Sequence, residues 1–520
     1  MEQLQNIELN DLFFHALNLL ENTARNILIT GRAGTGKSTL LDYFVNHTAK
    51  KVAVLAPTGV AALNVGGQTI HSFFGFKPDI TIEAIHKTYG THEKIYKEID
   101  TIIIDEISMV RADLLDCVDA FLKINGKQKH KPFGGVQMVF IGDLYQLPPV
   151  VTGKEKEIFK THYNSPYFFD SHVFNSVEME FIELEKIYRQ TDQKFIDLLN
   201  AIRNKSITDE ELKEINKRLL PHFEPQSSEF YIYLTTTHAL SDAINAKELE
   251  KIKEKLYTFQ GRIKGNFDKS YLPTNETLHL KTESQIMLVN NDIGRRWVNG
   301  TVGKIISIEK DDDSKVVMKV KLPGGKIVAV KPYIWDLSRL HFNNKTKKLE
   351  SETIGSFTQY PLKLAWAVTI HKGQGKTFDK VIIDIGTGTF THGQIYVALS
   401  RCTNLEGIVL KKRIEKKHIW MDWRVVQFLT KYQYALSNKK ISSEEKIKLI
   451  KEAIQSKSKL AITYLKSNDQ KSKRIVAPKK VGEMEYQGKS YLGVEGYCFK
   501  RKDDRVFRVD RILEIDIVKE

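Results

Sequence analysis

The stretch ILITGRAGTGKSTLL, residues 27–41, constrains the fold more than any other part of the chain. It satisfies the pattern GxxxxGK[ST] between a short apolar run and a helical pattern, which is the context of a phosphate-binding loop. Glycines let the backbone wrap a phosphate, and amide groups at the helix N-terminus supply positive potential. We expect Lys37 to reach the β- and γ-phosphates and the Ser38 hydroxyl to bind Mg²⁺. The phosphate-binding candidates are Gly31, Gly34, Thr35, Gly36, Lys37, Ser38 and Thr39.

A second apolar run ends in two carboxylates. In TIIIDEIS, residues 101–108, Asp105 and Glu106 follow residues that are typical of a buried strand. We expect Asp105 to hold Mg²⁺ together with Ser38, and Glu106 to activate water. Beside a phosphate-binding loop, this pair predicts hydrolysis of a nucleoside triphosphate, with ATP and Mg²⁺ as cofactors.

The segment GDLYQLPPV, residues 142–150, follows the apolar run VQMVF. Prolines stop a strand, so Asp143 and Gln146 are expected at a sheet edge in a fixed orientation. There the Gln146 amide can hydrogen-bond the γ-phosphate or orient water, and so report whether that phosphate is present. The alternative is an ordinary turn that ends the strand.

Composition sets the class of partner. The 520-residue chain carries a net charge of +15, which indicates a polyanion partner, most often nucleic acid. Cys117, Cys402 and Cys498 form no CxxC pair, so neither a disulfide framework nor a zinc site is expected. No apolar stretch approaches membrane-helix length, and the N-terminus lacks a signal-peptide pattern. These features predict a protein of the cytoplasm, in a bacterial cytosol, that does not enter membranes.

Apolar runs alternate with helical patterns in two parts of the chain. This is typical of parallel α/β sheets, so the sequence predicts two of them. Within the second part, residues 297–333 show short alternating strands with DDDS and PGG turns, which predict a small antiparallel barrel or meander. After about residue 437 the pattern changes to that of a separate small α+β module.

Five motifs in order resemble the Pif (petite integration frequency) family of superfamily 1 DNA helicases and, more distantly, the RecD-like helicases. They are APTGVAALNVGGQTIHSFF (56–74), GGVQMVFIGDLYQLPPV (134–150), LEKIYRQ (184–190), WAVTIHKGQGKTFDKVIID (366–384) and YVALSRCTNLEG (396–407). The resemblance implies two RecA-like domains with ATP in the cleft between them. It implies that Arg189 and Arg401 enter from the second domain and stabilise charge on the transferred phosphoryl group, an effect of roughly 10³–10⁵ in turnover. Residues 142–150 then resemble a motif that couples nucleotide state to DNA grip.

The predicted fold class is therefore α/β: two RecA-like P-loop domains with parallel sheets, a small inserted β-barrel and a C-terminal small α+β domain. A stretch at about 73–92 resembles the family's short wedge insertion, which splits the duplex. The predicted limits are 1–165 for the first RecA-like domain, 166–290 with 356–436 for the second, 291–355 for the barrel and 437–520 for the C-terminal domain.

The resemblance also implies a path for single-stranded DNA along loops that follow strands. Small hydroxyl and imidazole donors suit phosphate oxygens, and aromatic rings stack on bases without reading sequence. For Phe73 and Phe74 the alternative is a place in the core. By resemblance the chain is a monomer that moves 5′→3′ on single-stranded DNA and acts on single-strand/duplex junctions, G-quadruplexes and DNA–RNA hybrids. The candidates are Thr58, Thr69, His71, Phe73, Thr236, Asn299 and His371.

One feature departs from the family pattern. Family members carry a glutamine some seventeen residues before the phosphate loop that reads adenine, whereas this chain has Phe14 and His15 in that neighbourhood. Gln3 and Gln5 lie farther upstream and are the substitutes the sequence offers. The preference for ATP over other triphosphates is therefore open.

The C-terminal stretch resembles a WYL domain, with Ser490 in place of the tryptophan and Tyr491 and Leu492 following it. Its alternating strands carry many arginines, which predict a basic pocket for a nucleotide or a single strand. The alternative is a structural β-surface with scattered cations. The arginines are Arg474, Arg501, Arg505, Arg508 and Arg511.

Two other functions remain open from the residues alone. One is an RNA or RNA–DNA helicase, because backbone contacts discriminate sugars poorly unless they meet the 2′-hydroxyl. The other is a nucleotide-switched DNA-binding regulator in which the WYL-like module senses a ligand. The pair Arg189 and Arg401 favours turnover over a switch.

Overall fold

The structure, a computed structural model, describes residues 11–518 apart from 78, 90, 152–154, 156–158, 160, 227–228, 268, 270–271, 293, 312–315, 344–347 and 487. The chain divides into two compact units. The first comprises Met1–Leu199 with Thr208–Trp420, and the second comprises Asn200–Ile207 with Met421–Glu520. Gln3 and Gln5, the suggested adenine readers, lie outside the described residues.

Several helices begin where capping side chains satisfy free amide groups. Thr237 and Thr58 each accept a hydrogen bond from a backbone amide three residues on, and Ser442 forms a capping box with Glu445. The helices are α1 (Asp11–Asn22), α2 (Lys37–His47), α3 (Gly59–Asn64), α4 (Ile70–Phe74), α5 (Thr91–Glu98), α6 (Ala112–Asn125), α7 (His172–Ser176), α8 (Gln193–Arg203), α9 (Asp209–Asn216), α10 (His238–Lys251), α11 (Gln394–Leu399), α12 (Trp423–Lys440) and α13 (Ser443–Gln455).

The first sheet is parallel throughout and has the order β3-β2-β4-β5-β1-β6. Every residue of β5 (Gln137–Gly142), the strand that leads to Asp143, is buried, as expected for a central strand covered on both faces. The carboxyl ends of parallel strands meet at one edge, which brings the phosphate loop and both acidic segments together. The strands are β1 (Asn26–Gly31), β2 (Val52–Ala56), β3 (Gln68–Thr69), β4 (Thr101–Ile104), β5 (Gln137–Gly142) and β6 (Met179–Leu184).

Strand β6 corrects a predicted domain limit. It pairs with β1 in parallel along its whole length, from Asn26 opposite Met179 to Gly31 opposite Leu184. The start predicted for the second domain at residue 166 is therefore too early. The residues of one strand do not indicate which earlier strand it pairs with, so this pairing could not be predicted from the sequence.

The second sheet is also parallel, with the order β18-β7-β19-β20, and confirms the predicted second α/β domain. Its strands are short and nearly fully buried. They are β7 (Ile232–Thr235), β18 (Ala367–Thr369), β19 (Val381–Asp384) and β20 (Ile408–Leu410).

Antiparallel strands are inserted in the second sheet. They form a five-stranded sheet β14-β13-β12-β11-β17, a three-stranded sheet β15-β16-β9 and the pair β10-β8. Within the described residues, end strands β14 and β17 do not pair with each other, so closure into a barrel is not observed. The insertion is also longer than the predicted 291–355. Its strands are β8 (Tyr257–Gln260), β9 (Arg262–Gly265), β10 (Thr277–Leu280), β11 (Gln285–Leu288), β12 (Val302–Lys310), β13 (Val316–Lys321), β14 (Ile327–Val330), β15 (Tyr333–Asn343), β16 (Lys348–Gln359) and β17 (Leu362–Leu364).

The second unit packs α12 and α13 on an antiparallel sheet of order β24-β23-β22-β21-β25. Its core includes Ile450, Leu460 and Ile462, and the predicted small α+β class is confirmed. In this unit α12 begins at Trp423, before the predicted limit of 437. The strands are β21 (Leu460–Leu465), β22 (Lys471–Tyr486), β23 (Lys489–Cys498), β24 (Asp503–Arg508) and β25 (Ile512–Ile517). Across the described ranges, every helix is too short or too polar to span a bilayer.

Candidate nucleotide and nucleic-acid sites

The phosphate loop has the backbone that its glycines allow. Gly34 and Gly36 have φ of 81° and 84°, in the left-handed region that favours glycine. A Cβ at Gly34 would lie 2.5 Å from the Cβ of Arg189, so only glycine fits this close approach. The Lys37 ammonium donates to the carbonyl oxygens of Gly31 and Arg32, at 2.7 and 2.9 Å. The loop thus points its lysine at the space where it wraps a phosphate.

A cavity of about 530 Å³ lies against this loop. It collects residues from both parallel sheets and from the segment that follows β6. Gly31 does not line it, but a Cβ there would lie 2.6 Å from the hydroxyl of Thr35, which does. The predicted site residues that line it are Gly34, Thr35, Gly36, Lys37, Ser38, Thr39, Glu106, Gln146, Arg189 and Arg401. Lys37 and Arg401 therefore share one crevice.

The two arginines reach the cavity by different routes. Arg401 follows α11 and is 1% exposed; its guanidinium donates to the Val397 carbonyl and the Ser400 hydroxyl, both at 3.0 Å. Burial, then the charge of Arg189, lowers the pKa of Arg401 to about 9, so it stays protonated at neutral pH. Arg189 follows β6 of the first sheet, so its expected entry from the second domain is wrong. It still joins the two, because it donates to the Ser400 carbonyl at 3.3 Å.

Asp105 and Glu106 follow β4 as predicted. Glu106 has φ of 51°, a left-handed backbone that costs about 1–2 kcal/mol for a residue with a side chain. Burial, then the neighbouring Asp105, raises the pKa of Glu106 to about 7. Burial also raises the pKa of Asp105. The Gln374 amide donates to the Glu106 carboxylate at 2.9 Å and fixes its orientation.

The segment after β5 has a wider role than the sequence indicated. Asp143 is fully buried and accepts from the Gln146 amide at 3.2 Å and from the Tyr396 hydroxyl at 3.0 Å. The same hydroxyl accepts from the backbone amide of Ala33 in the phosphate loop, at 3.0 Å. Tyr396, on α11, thus connects the segment, the phosphate loop and the second sheet domain. The sequence prediction missed it, although it lies in the quoted motif YVALSRCTNLEG.

The donor set at the loop suits Mg²⁺. The Ser38 hydroxyl is exposed at the start of α2, and Asp105 supplies a carboxylate at the same sheet edge. In the described part of the chain, no three His, Cys, Asp or Glu side chains form a metal cage. Mg²⁺ keeps several waters and is held by one or two protein oxygens plus substrate phosphates, so these two residues suffice.

The predicted DNA contacts are placed unevenly. Thr58 is exposed, while His71 and His371 are half-buried and His371 stacks on Phe390. Thr69 and Thr236 are buried, and each hydroxyl already takes part in a hydrogen bond within the protein. A strand would have to reach these two through their backbone or displace those bonds.

Phe73 is wrong as a base-stacking residue. It is 4% exposed and packs edge-on against Phe74 and Tyr96, with ring centroids 4.8 and 5.6 Å away. The alternative, a place in the core, is what the structure shows. The rest of the predicted wedge is mostly exposed, with Tyr89 at 75%, while Pro78 and Gly90 lie outside the described residues.

Asn299 marks a second cavity, of about 340 Å³. Its amide donates to the Asn64 side chain at 2.9 Å and so joins the inserted strands to α3 of the first sheet domain. Four lysines that the sequence prediction missed line this cavity: Lys269, Lys363, Lys372 and Lys376. Burial, then the charges of Lys376 and Lys372, lowers the pKa of Lys363 to about 7. Burial, then Lys372, lowers the pKa of Lys376 to about 8.

The fold and the first cavity define a P-loop nucleotide-binding protein with two RecA-like sheets. Residues 8–213 match the PIF1-like helicase family, and residues 445–517 match the WYL domain. The ATP-dependent DNA helicase Pif1 of Bdellovibrio bacteriovorus is 31% identical over 415 residues, which cover 78% of this chain and 88% of that protein. The chain belongs to the PIF1-like helicase family.

Other relatives differ in length or in bound state. The ATP-dependent DNA helicase PIF1 of Homo sapiens is 32% identical over 395 residues; these cover 74% of this chain but only 58% of the human protein. The crystal structure of Bacteroides sp. Pif1 with ADP-AlF4 is 36% identical, with a TM-score of 0.74, and covers 82% of this chain and 97% of that one. A Bacteroides Pif1 structure with ADP-AlF3 and single-stranded DNA is 35% identical, with a TM-score of 0.61, and covers 82% and 98%.

Proposed function

We propose that this protein is an ATP-dependent DNA helicase that moves 5′→3′ along single-stranded DNA and opens duplexes. The observation that carries the proposal is the shared cavity, in which Lys37 of the phosphate loop faces Arg401 of the second sheet domain. Binding alone would not need an arginine from outside the loop's own domain. Domains that close on ATP and open after hydrolysis can grip a strand alternately, and so move along it.

The site residues are proposed to divide the work as follows. Lys37 and the loop amides bind the phosphates, while Ser38 and Asp105 hold Mg²⁺, which supplies charge neutralisation when bound. Glu106, oriented by Gln374, accepts a proton from the attacking water. Arg189 and Arg401 offset charge on the transferred group. Gln146 senses the γ-phosphate, and its bond to Asp143 relates that state to Tyr396 and α11.

The second cavity is proposed to hold part of the DNA strand. Its lysines lie close enough to repel one another, and the negative charge of a phosphate backbone would offset that repulsion. Thr58, His71, His371 and Asn299 stay candidates for contacts along the same path, with Thr69 and Thr236 at its buried positions. The residues after Phe73, through about residue 92, are proposed as the wedge.

The finer parts of the proposal concern substrate and setting. We propose action on forked junctions, G-quadruplexes and DNA–RNA hybrids, by a monomer in the bacterial cytoplasm. The lysine lining of the second cavity supports a broad range of nucleic-acid substrates, because backbone contacts carry no sequence information. A bacterial relative, the Bdellovibrio protein, supports the setting.

One experiment tests direction, coupling and class together. ATP hydrolysis is measured with and without single-stranded DNA, beside unwinding of forks with a 5′ or a 3′ tail. We expect DNA-stimulated hydrolysis and strand release from the 5′-tailed fork, and neither from the Lys37→Ala variant. Release from the 3′-tailed fork alone would overturn the direction. ATP-dependent binding without release would identify a nucleotide-switched regulator, and preference for an RNA strand would identify an RNA helicase.

A further inference from the structure

The second unit contains a cavity of about 330 Å³ at one end of its sheet. It is formed by the turn between β21 and β22, the first residues of β22, and the turn that follows β23. None of its described lining residues is acidic or aromatic. Six of them are cationic: Lys466, Lys471, Lys473, Arg474, Lys500 and Arg501.

Three of these cations, Arg474, Lys500 and Arg501, differ from others in the same unit. The Arg508 guanidinium pairs with Asp510 at 2.6 Å, and the Lys479 ammonium pairs with Asp504 at 2.7 Å. Within the described residues, by contrast, the side chains of Lys500 and Arg501 make no ion pair or hydrogen bond. Arg474 goes further, because its Nη1 atom is buried and has no hydrogen-bond partner in the described part of the chain. A buried donor that charged and unsatisfied is costly unless a ligand completes it.

The cations are close enough to affect one another. Burial, then the charges of Arg474, Arg501 and Lys500, lowers the pKa of Lys466. Lys466 donates to the Gln470 side chain at 2.6 Å, a neutral partner that does not offset the charge. The cavity is therefore preorganised for several negative charges in a small volume.

The described lining residues include no aromatic ring, and this limits the class of ligand that the cavity can bind. Single-stranded nucleic acid is usually held on aromatic side chains that stack on bases, and this cavity offers none. Guanidinium groups match phosphate oxygens in a bidentate fork. Adjacent phosphate groups of a small molecule fit better than an extended strand.

We propose that this cavity of the second unit binds an oligophosphate group, either free or as the phosphate chain of a nucleoside polyphosphate. Of the arginines that suggested a basic pocket from sequence, Arg474 and Arg501 line it. Arg508 is held by Asp510 instead, and Arg505 and Arg511 do not line the cavity. This site is separate from the phosphate loop, and its role does not depend on the proposed helicase activity.

The test uses the full chain with Lys37→Ala, which weakens phosphate binding at the loop. Inorganic tripolyphosphate is titrated by calorimetry into this protein and into the same protein with Lys500→Gln and Arg501→Gln. Both residues are exposed on a turn, so the fold should persist, as checked by circular dichroism and thermal unfolding. We expect saturable binding that weakens at least tenfold in the turn variant, because each lost charged hydrogen bond is worth about that factor.

A matched control removes the same charge elsewhere in the unit. Lys448→Gln with Lys451→Gln, both exposed on α13, should leave tripolyphosphate affinity within twofold. Arg474→Gln is the second pocket variant and should lose at least as much affinity as the turn variant. Equal affinities for ATP and tripolyphosphate would show that phosphates alone are read, and tighter ATP binding would identify a nucleoside polyphosphate; either supports the proposal.

Three outcomes would overturn it. One is no saturable tripolyphosphate binding. Another is binding that the pocket variants leave unchanged. The third is a pocket variant that weakens binding of a single-stranded oligonucleotide but not of tripolyphosphate, because that would make the cavity part of a strand path.

Discussion

The two cavities of the first unit both hold buried cations, but their charge balance differs. Beside the phosphate loop, Lys37 and Arg401 face the carboxylates of Glu106 and Asp143. In the second cavity, beside Asn299, Lys269 pairs with Glu276, the one described acidic lining residue. Lys363 lies near the like charges of Lys376 and Lys372, which leaves these three lysines without an acidic lining residue of their own. A balanced set suits a site that binds and releases a ligand during turnover. An unbalanced set suits a site that a polyanion occupies throughout.

The largest effect is expected when a cation is removed from the balanced site, beside the phosphate loop. Arg401→Ala should lower ATP turnover by about 10³-fold or more, because a guanidinium that stabilises the transferred phosphoryl group is worth that much. The measurement is steady-state hydrolysis with saturating single-stranded DNA. Arg296→Ala, an exposed arginine paired with Asp292, is the control and should stay near wild type. Turnover within tenfold of wild type would exclude Arg401 from the reaction.

Removal of an acid from the same site should come next in size. Glu106→Gln keeps the shape but cannot accept a proton, so we expect a loss of about 10²–10⁴ in turnover with ATP affinity retained. Single-turnover hydrolysis and binding of a fluorescent ATP analogue separate the two effects. Gln374→Ala should cost less, because it removes only the amide that orients the carboxylate. Equal losses in affinity and turnover would instead indicate that Glu106 supports the shape of the site.

A smaller effect is expected where α11 joins the phosphate loop to the segment after β5. Tyr396→Phe removes one hydroxyl that bonds both Ala33 and Asp143. A hydrogen bond to a charged group is worth about 1.5–3 kcal/mol, so stimulation of hydrolysis by DNA should fall by about tenfold or somewhat more. Basal hydrolysis without DNA should change less. Tyr167→Phe, on a hydroxyl that contacts His392, is the matched control. Stimulation that survives in Tyr396→Phe would place the coupling elsewhere.

The smallest expected effect is a pH dependence from the unbalanced site. The pKa of Lys363 in the free protein is about 7, so its charged form, which a phosphate favours, is populated mainly below that pH. DNA affinity should therefore decline as pH rises from 7 to 9, because binding then requires proton uptake. Lys363→Gln should reduce this decline, with the remainder due to Lys376, whose pKa is about 8, and should reduce the salt slope by about 1. Lys321→Gln, exposed on β13, should keep both. An identical pH profile in wild type and Lys363→Gln would contradict this role.

The parts of the site that were readable from sequence are those that one stretch of chain determines. The phosphate loop and the carboxylates after β4 depend on a strand, a turn and the residue types there. Tyr396 and Lys363 were missed because their roles depend on which distant segments face them. Phe73 was misassigned because a motif position does not indicate which way a ring points. The pairing of β6 with β1 was not predicted for a similar reason, since the sequence of one strand does not indicate which strand it pairs with.

Gly393, the N-cap of α11, has φ of 77°, and a Cβ there would lie 2.5 Å from the carbonyl oxygen of Gln146. The backbone of α11 therefore packs directly against the backbone of residues 142–150, with no side chain between them. A displacement of that segment would therefore act directly on α11 and, through it, on Arg401. The methyl group of an alanine at position 393 would clash with the Gln146 carbonyl, and the helix would have to move away from the nucleotide site to relieve the clash, even when ATP is bound.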